Sequence, residues 1–174
     1  GSFQGKWFTL SNRLAALTTS LSSSMRVMCW GLPPKAALTV TPLPEPKGTK
    51  VCLSRFRRPS AETAPTDAKA VCLYAQAGRA AGEAKSRGFD EAIMLDPMGH
   101  VAEYSAANLW MAKDGAAHTP IPNGTFLNGI TRQRVIKLLR RAGIEVYERT
   151  LSFEDVKTAD EVFSTGNFGK VMPM

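Results

Sequence analysis

GFDEAIMLDPMGHVAEYSAANLWMAKDGAAHTPIPNGTFLNGITRQRVIKLLRRAG, residues 88–143, is the stretch whose periodicity decides the fold. EAIMLD (91–96) is a short apolar run, PMGH (97–100) a turn, and VAEYSAANLWMA (101–112) reads as strand again. Asp114-Gly115 is a tight-turn pair, so a meander of strands is expected. The apolar period then changes to helical in TRQRVIKLLRRAG (131–143), where Val135, Leu138, Leu139 and Ala142 share one face and Gly143 ends the helix. Working outward, AKAVCLYAQAGRAAGEAKS (68–86) is Ala-rich and stops before Gly88, as a helix with a C-terminal glycine does. IEVYERT (144–150) and EVFST (161–165) read as strands. Between them SFEDVKTA (152–159) is a short helix opened by Ser152, with Asp155 three residues on as an acidic capping box. The chain ends at GKVMPM with no closing element expected. Helices interleaved with strands predict a mixed α/β fold.

A length of 174 residues, 44% hydrophobic and 21% charged, supports one domain with a real core and excludes collagenous or wholly disordered chains. No apolar run approaches the roughly 18 to 20 residues of a membrane-spanning helix, so no membrane partner is expected. Cys29, Cys52 and Cys72 form no CxxC pair, and their odd number argues for a reducing, cytoplasmic setting. The formal charge of +7 sits at the front. Residues 1–60 carry nine Lys or Arg against Glu45 alone, whereas residues 61–174 carry thirteen against fourteen acids. A nucleic-acid binder would need a basic face on its body, so none is expected as a partner.

Residues 1–24 are rich in Ser, Thr and Leu and hold no acid, which predicts a leader or extension outside the folded domain. An organellar transit peptide is the alternative reading. RVMCW (26–30), AALTV (36–40) and KVCLSRF (50–56) are short β-type runs separated by Pro-rich turns, with nothing upstream to pair with. Both ends of the chain therefore read as cut. The expected organisation is a leader at 1–24, the remnant of a small N-terminal domain at 25–60, and an incomplete large domain at 61–174.

The common catalytic patterns are absent: there is no GxSxG, HExxH or GxGxxG, and His100 and His118 stand alone without metal-ligand spacing. No metal is expected. What remains is a lysine, an acid and two loops. NGTFLNGITRQRV runs through Gly124 and Gly129 into a helix, which leaves backbone N–H groups and a positive dipole end at Ile130 and Thr131, suited to a phosphate. STGN (164–167) is a second small-residue loop after a strand. Singly, both loops also read as plain turns, Lys69 and Glu103 as surface charges, and Tyr74 as core.

Together the segments TDAKAVCLY, GFDEAIMLDPMGHVAEYSAANLW, HTP, FLNGITRQRVIKLL and ADEVFSTGN resemble, in order and spacing, the fold type IV pyridoxal-phosphate enzymes, nearest to branched-chain amino-acid aminotransferases. The resemblance covers about residues 25–174. It implies the large cofactor-binding domain of the D-amino-acid aminotransferase-like fold, pyridoxal 5'-phosphate as cofactor, and a homodimer in the full-length protein. It also implies transfer of an amino group from Leu, Ile or Val to 2-oxoglutarate in the full-length protein, whereas this chain by itself is expected to be inactive. Lys69 stands where the family places the lysine that carries the cofactor. Glu103, in the G-x-x-x-E-x-x-x-x-N pattern from Gly99 to Asn108, stands where its acid meets the pyridine nitrogen. Tyr74 matches the tyrosine on the cofactor's phenolic oxygen, Leu127 the residue packed on the ring, and Ile130 and Thr131 the phosphate donors. Asn167 stands where the commoner motif has Thr, and its amide can still donate. Arg55, Arg57 and Arg58 do not stand at the family's phosphate-binding arginine. A D-amino-acid aminotransferase, an aminodeoxychorismate lyase and a non-enzymatic basic module binding RNA or anions through residues 1–60 are the rival expectations.

Overall fold

The structure is a computed structural model and describes residues 48–174. The expected leader at 1–24 and the strands at 26–30 and 36–40 lie outside the described residues, as does Cys29. From there the order is β1 (Val51–Leu53), α1 (Val71–Ser86), β2 (Glu91–Leu95), β3 (Val101–Tyr104), β4 (Asn108–Lys113), β5 (Ala116–Pro120), α2 (Ile130–Arg141), β6 (Val146–Arg149), α3 (Phe153–Lys157), β7 (Glu161–Gly166) and β8 (Lys170–Pro173).

These strands form two sheets, a three-stranded one in the order β1-β2-β3 and a five-stranded one in the order β6-β5-β4-β7-β8. The parallel pairs β1–β2 and β5–β6 each bracket a helix in sequence, while β2–β3, β4–β5, β4–β7 and β7–β8 are antiparallel. The single meander expected over 91–112 is therefore corrected. The chain leaves the first sheet at Tyr104, crosses Ser105–Ala107, and enters the second at Asn108. Asp114 and Gly115 do make the tight turn, both with positive φ (50° and 85°), the conformation a two-residue hairpin loop of this hand requires.

The core is layered. Ala80 and Ala84 of α1 pack on Cys52, Ala92 and Met94 of the first sheet. Ile93, Val101 and Tyr104 meet Leu109 and Met111 between the sheets, closed at one side by Leu151 and Val156. Trp110, Ala117 and Phe163 on the far face of the second sheet receive Val135, Ile136 and Leu139 of α2. β4 is buried on both faces, which is why NLWMA reads as a continuous apolar run and not as an alternation. One helix expectation and the expectation for the chain end need adjustment. α2 turns Ile136 inward and leaves Ala142 exposed beyond its end, and GKVMPM supplies an edge strand, β8, beside β7. The Ser152–Asp155 capping box opens α3 as expected.

Candidate functional site

Glu103 owes its direction to a β-bulge. Ile93 pairs with Tyr104 and Met94 with Glu103, but Leu95 pairs with Val101, so Ala102 is the extra residue on β3. A bulge shifts the in-out alternation by one. Val101 and Tyr104 consequently both face the layer between the sheets, and Glu103 shares the face of Met94, toward α1 and the segment that leads into it. There it is 9% exposed.

Arg58 is Glu103's nearest counter-charge. After β1 the chain continues alongside β2, with the Arg58 N–H donating to the Leu95 carbonyl at 2.8 Å, and this delivers the side chain to β3. Its Nε lies 3.2 Å from Glu103 Oε1 and donates to the Thr125 carbonyl at 3.0 Å, and Arg58 is only 5% exposed. Burial pushes the Glu103 carboxyl up to about 7, while the charges of Arg58 and Lys69 pull it back. A carboxyl poised there exchanges a proton at neutral pH. Lys69 ends the 66–69 turn just ahead of α1 and is exposed. Thr66, in the same turn, is buried and donates its hydroxyl to the Gly124 carbonyl, so the approach to Lys69 is anchored to the 123–125 loop.

Asn108 gathers the rest. Its Nδ2 donates to the Leu127 carbonyl at 2.8 Å and makes a long 3.5 Å contact with Glu103 Oε2. Gly129, the N-cap of α2, fits against it only because it lacks a side chain: a Cβ there would lie 2.4 Å from Asn108 Oδ1. The first turn of α2 has no side-chain cap and no acid, which leaves the Ile130 and Thr131 N–H groups as anion donors. Asn108 also pairs with Thr165 of β7, and Gly166 packs against Ala106 and Ala107, so the loop holding Asn167 comes to the same corner. Thr165 itself is committed, its hydroxyl accepting from Trp110 Nε1 at 3.0 Å.

Glu103, Lys69, Leu127, the start of α2 and the 166–167 loop thus belong to one region. Tyr74, far from being core, is 58% exposed on the first turn of α1, and among the described residues it hydrogen-bonds to none of them. Ile130, at the start of α2, is 87% exposed. Sequence reasoning passed over Arg58 and Asn108. Nothing local separates Arg58 from Arg55 and Arg57, and only the pairing of residues 54–58 with β2 buries it.

The arrangement fits a phosphorylated pyridine with an aldehyde. It offers a primary amine, a buried carboxyl whose Oε2 has no strong donor among the described residues, and two small-residue loops with backbone amides to offer. With no acid in the first turn of α2, that corner does not repel an anion.

The sequence signature described as Amino-transferase class IV matches residues 9–174. A probable branched-chain-amino-acid aminotransferase of Aquifex aeolicus (strain VF5) is 41% identical over 129 residues, covering 74% of this chain and 42% of the relative. A crystal structure of a Brucella abortus aminotransferase bound to the cofactor PLP is 53% identical with a TM-score of 0.77, over 78% of this chain and 49% of that one. A T.th. branched-chain amino acid aminotransferase complexed with N-(5'-phosphopyridoxyl)-L-glutamate is 36% identical, TM-score 0.70, over 72% and 42%. The chain spans less than half the length of each of these proteins.

Proposed function

The chain belongs to the class IV aminotransferase family, and on that premise we propose that the whole protein moves an amino group from a branched-chain amino acid to 2-oxoglutarate with pyridoxal phosphate held on Lys69. The burial of Glu103 between Arg58 and Lys69 carries this reading. When bound, the cofactor would carry the amino group between the two acids and draw electrons from the substrate's Cα. The residues then have distinct tasks. Glu103 holds a proton against the ring nitrogen, and its raised carboxyl, checked by Arg58, keeps both protonation states within reach at neutral pH. Lys69 Nζ takes and returns the proton of the substrate's Cα as general base and acid. The Ile130 and Thr131 amides and Asn167 hold the phosphate, Leu127 covers the ring, and Tyr74 donates to its phenolic oxygen.

The partners of this reading are a small amino acid and a 2-oxo acid, with a homodimer as the working form and the cytoplasm as its place. The domain division at 24 and 60 belongs to the same reading. Glutamate as one partner is supported by the phosphopyridoxyl-glutamate complex of the T.th. enzyme. The decisive test is chemical. Incubation with pyridoxal phosphate, borohydride reduction and peptide mapping should place the pyridoxyl group on Lys69. A label on Lys85 or Lys113 instead overturns the assignment.

A further inference from the structure

Thr66 and Arg58, the two residues that tie Lys69 and Glu103 to the rest of the protein, hang on consecutive carbonyls, those of Gly124 and Thr125. Gly124 adopts a positive φ of 81°, and a Cβ added to it would touch Ala61 at 3.8 Å, so this loop lies directly on the approach to Lys69. The loop is fixed from within by Asn123. Its Oδ1 accepts from the Thr125 N–H at 3.2 Å and the Thr125 hydroxyl at 2.7 Å. Its Nδ2 donates to Asp96 Oδ2 at 2.8 Å.

Asp96 is buried, 1% exposed, in the turn of the β2–β3 hairpin, the hairpin whose second strand carries Glu103. Its other oxygen accepts the His100 N–H at 2.9 Å, and its backbone closes the turn with His100 and Gly99. Arg57 donates to the Pro97 carbonyl of the same turn at 2.9 Å. The contacts therefore close a ring: Glu103, the hairpin turn, Asp96, Asn123, Thr125, Arg58 and back to Glu103. In a closed ring each distance is fixed from two sides.

We propose that Asp96 is a positioning residue for the Lys69–Glu103 site: through Asn123 it holds the Gly124 and Thr125 carbonyls in place, and so sets how closely Arg58 faces Glu103. This rests on the aminotransferase reading for its purpose alone, because the ring is a property of the chain without cofactor. An open ring lets Arg58 retreat from a carboxyl that remains buried, and the carboxyl then holds its proton more tightly.

The test is the titration of Glu103, followed by NMR in the full 174-residue chain labelled with carboxyl-13C glutamate and without added cofactor. Asp96→Ala and Asn123→Ala should each raise the Glu103 midpoint by about one pH unit, the scale of losing a neighbouring arginine. Removing Asp96's own negative charge would act through space in the opposite sense, so a rise comes through Arg58. The double variant should rise no further than the larger single, since both break one ring. Thr125→Val, a near-isosteric change that removes one donor to Asn123, should give a smaller rise and keeps the test open should an alanine variant fail to fold. A midpoint that stays put, or falls, in variants whose melting temperature has dropped would make Asp96 a purely structural residue and overturn the proposal. The borohydride label on Lys69 is read separately, so failure of the ring and failure of the aminotransferase reading give different results.

Discussion

Two buried arginines, each beside a glutamate, sit in different halves of the molecule and are held in opposite ways. Arg132, on α2 against the five-stranded sheet, is fully buried and every nitrogen is engaged. Nε meets Thr119 Oγ1 at 3.3 Å, one terminal nitrogen meets Asn128 Oδ1 at 2.7 Å, and the other meets the Pro120 carbonyl and Glu148 Oε2, both at 2.9 Å. Glu148 keeps 31% of its side chain in water and has Arg140 as a second partner at 3.6 Å. Arg58, by contrast, uses only Nε among the described residues and faces a carboxyl that is itself buried. A saturated buried cation is a fixture, and here it braces Asn128 ahead of the first turn of α2. An under-coordinated one beside a buried acid leaves the proton count open, which costs stability and suits chemistry.

The largest effect expected from this contrast is on the Arg58 side. Glu103→Gln should lower amino transfer on the order of 10²- to 10³-fold while cofactor binding persists, because an amide neither holds nor releases a proton. Single-turnover rates compared with a cofactor titration check it, and unchanged turnover would return Glu103 to an ordinary strand residue. The same variant should alter the pH dependence of folding. Glu103's folded value of about 7 lies above its ordinary 4.5. Its contribution is therefore fully present below 4.5 and is lost as pH rises through 7. Urea unfolding between these pH values should show stability falling in the parent and a flatter profile in Glu103→Gln.

On the other side the readout is stability alone. Arg132→Met should cost on the order of 3 kcal/mol, since the Pro120 carbonyl and Asn128 lose their buried donor while the partly exposed Glu148 can turn to water. Arg140→Ala, which removes the exposed partner of the same glutamate, should cost under about 1 kcal/mol. Equal losses from the two would erase the distinction between a buried brace and a surface pair.

A fourth substitution probes the seam where the two halves meet. Gly129→Ala meets no backbone strain, with φ at −59°, but places its Cβ 2.4 Å from Asn108 Oδ1. Overpacking of this kind costs about 2 kcal/mol. The loss should largely disappear in an Asn108→Ala background, where the colliding atoms are gone. A persistent loss would mean that Gly129 serves the helix start and not the fit against Asn108.

These substitutions also mark how much of the site was legible in the sequence. Lys69, Glu103 and the Gly129–Thr131 turn were legible only through their place in an ordered set of family motifs, since each alone reads as a surface charge or a plain turn, and the structure brings them into one region. Helix ends at Gly88 and Gly143 and the Asp114-Gly115 turn were legible because a glycine or a positive φ is a local requirement. The bulge at Ala102 was not, since it depends on the register of β3 against β2 and no residue type announces it. Arg58 and Asp96 were illegible for the same reason: their burial comes from partners 45 and 27 residues away, Glu103 and Asn123. Ile136 displaced Ala142 from the buried face of α2 because the helix ends one residue before Ala142, as Ile144 and Val146 fold back against it.

The one substitution expected to stabilise the fold tests whether the bulge separates two environments on β3. Tyr104 is the neighbour of Glu103 and points the other way, into the closed layer between the sheets, where its hydroxyl is buried with no hydrogen-bond partner among the described residues. Burial, with Glu91 nearby, pushes its phenol well above the usual range, so it stays neutral and takes no part in proton exchange. A buried hydroxyl without a partner carries a desolvation cost of about 1 to 3 kcal/mol, and deleting it leaves only a small void. Tyr104→Phe should therefore stabilise the fold by roughly 1 kcal/mol in urea unfolding, with the Glu103 titration midpoint unmoved. A loss of stability would reveal a bound water on that hydroxyl. A shift of the Glu103 midpoint would mean that the two faces of β3 communicate, and the bulge would no longer divide a silent layer from a titrating one.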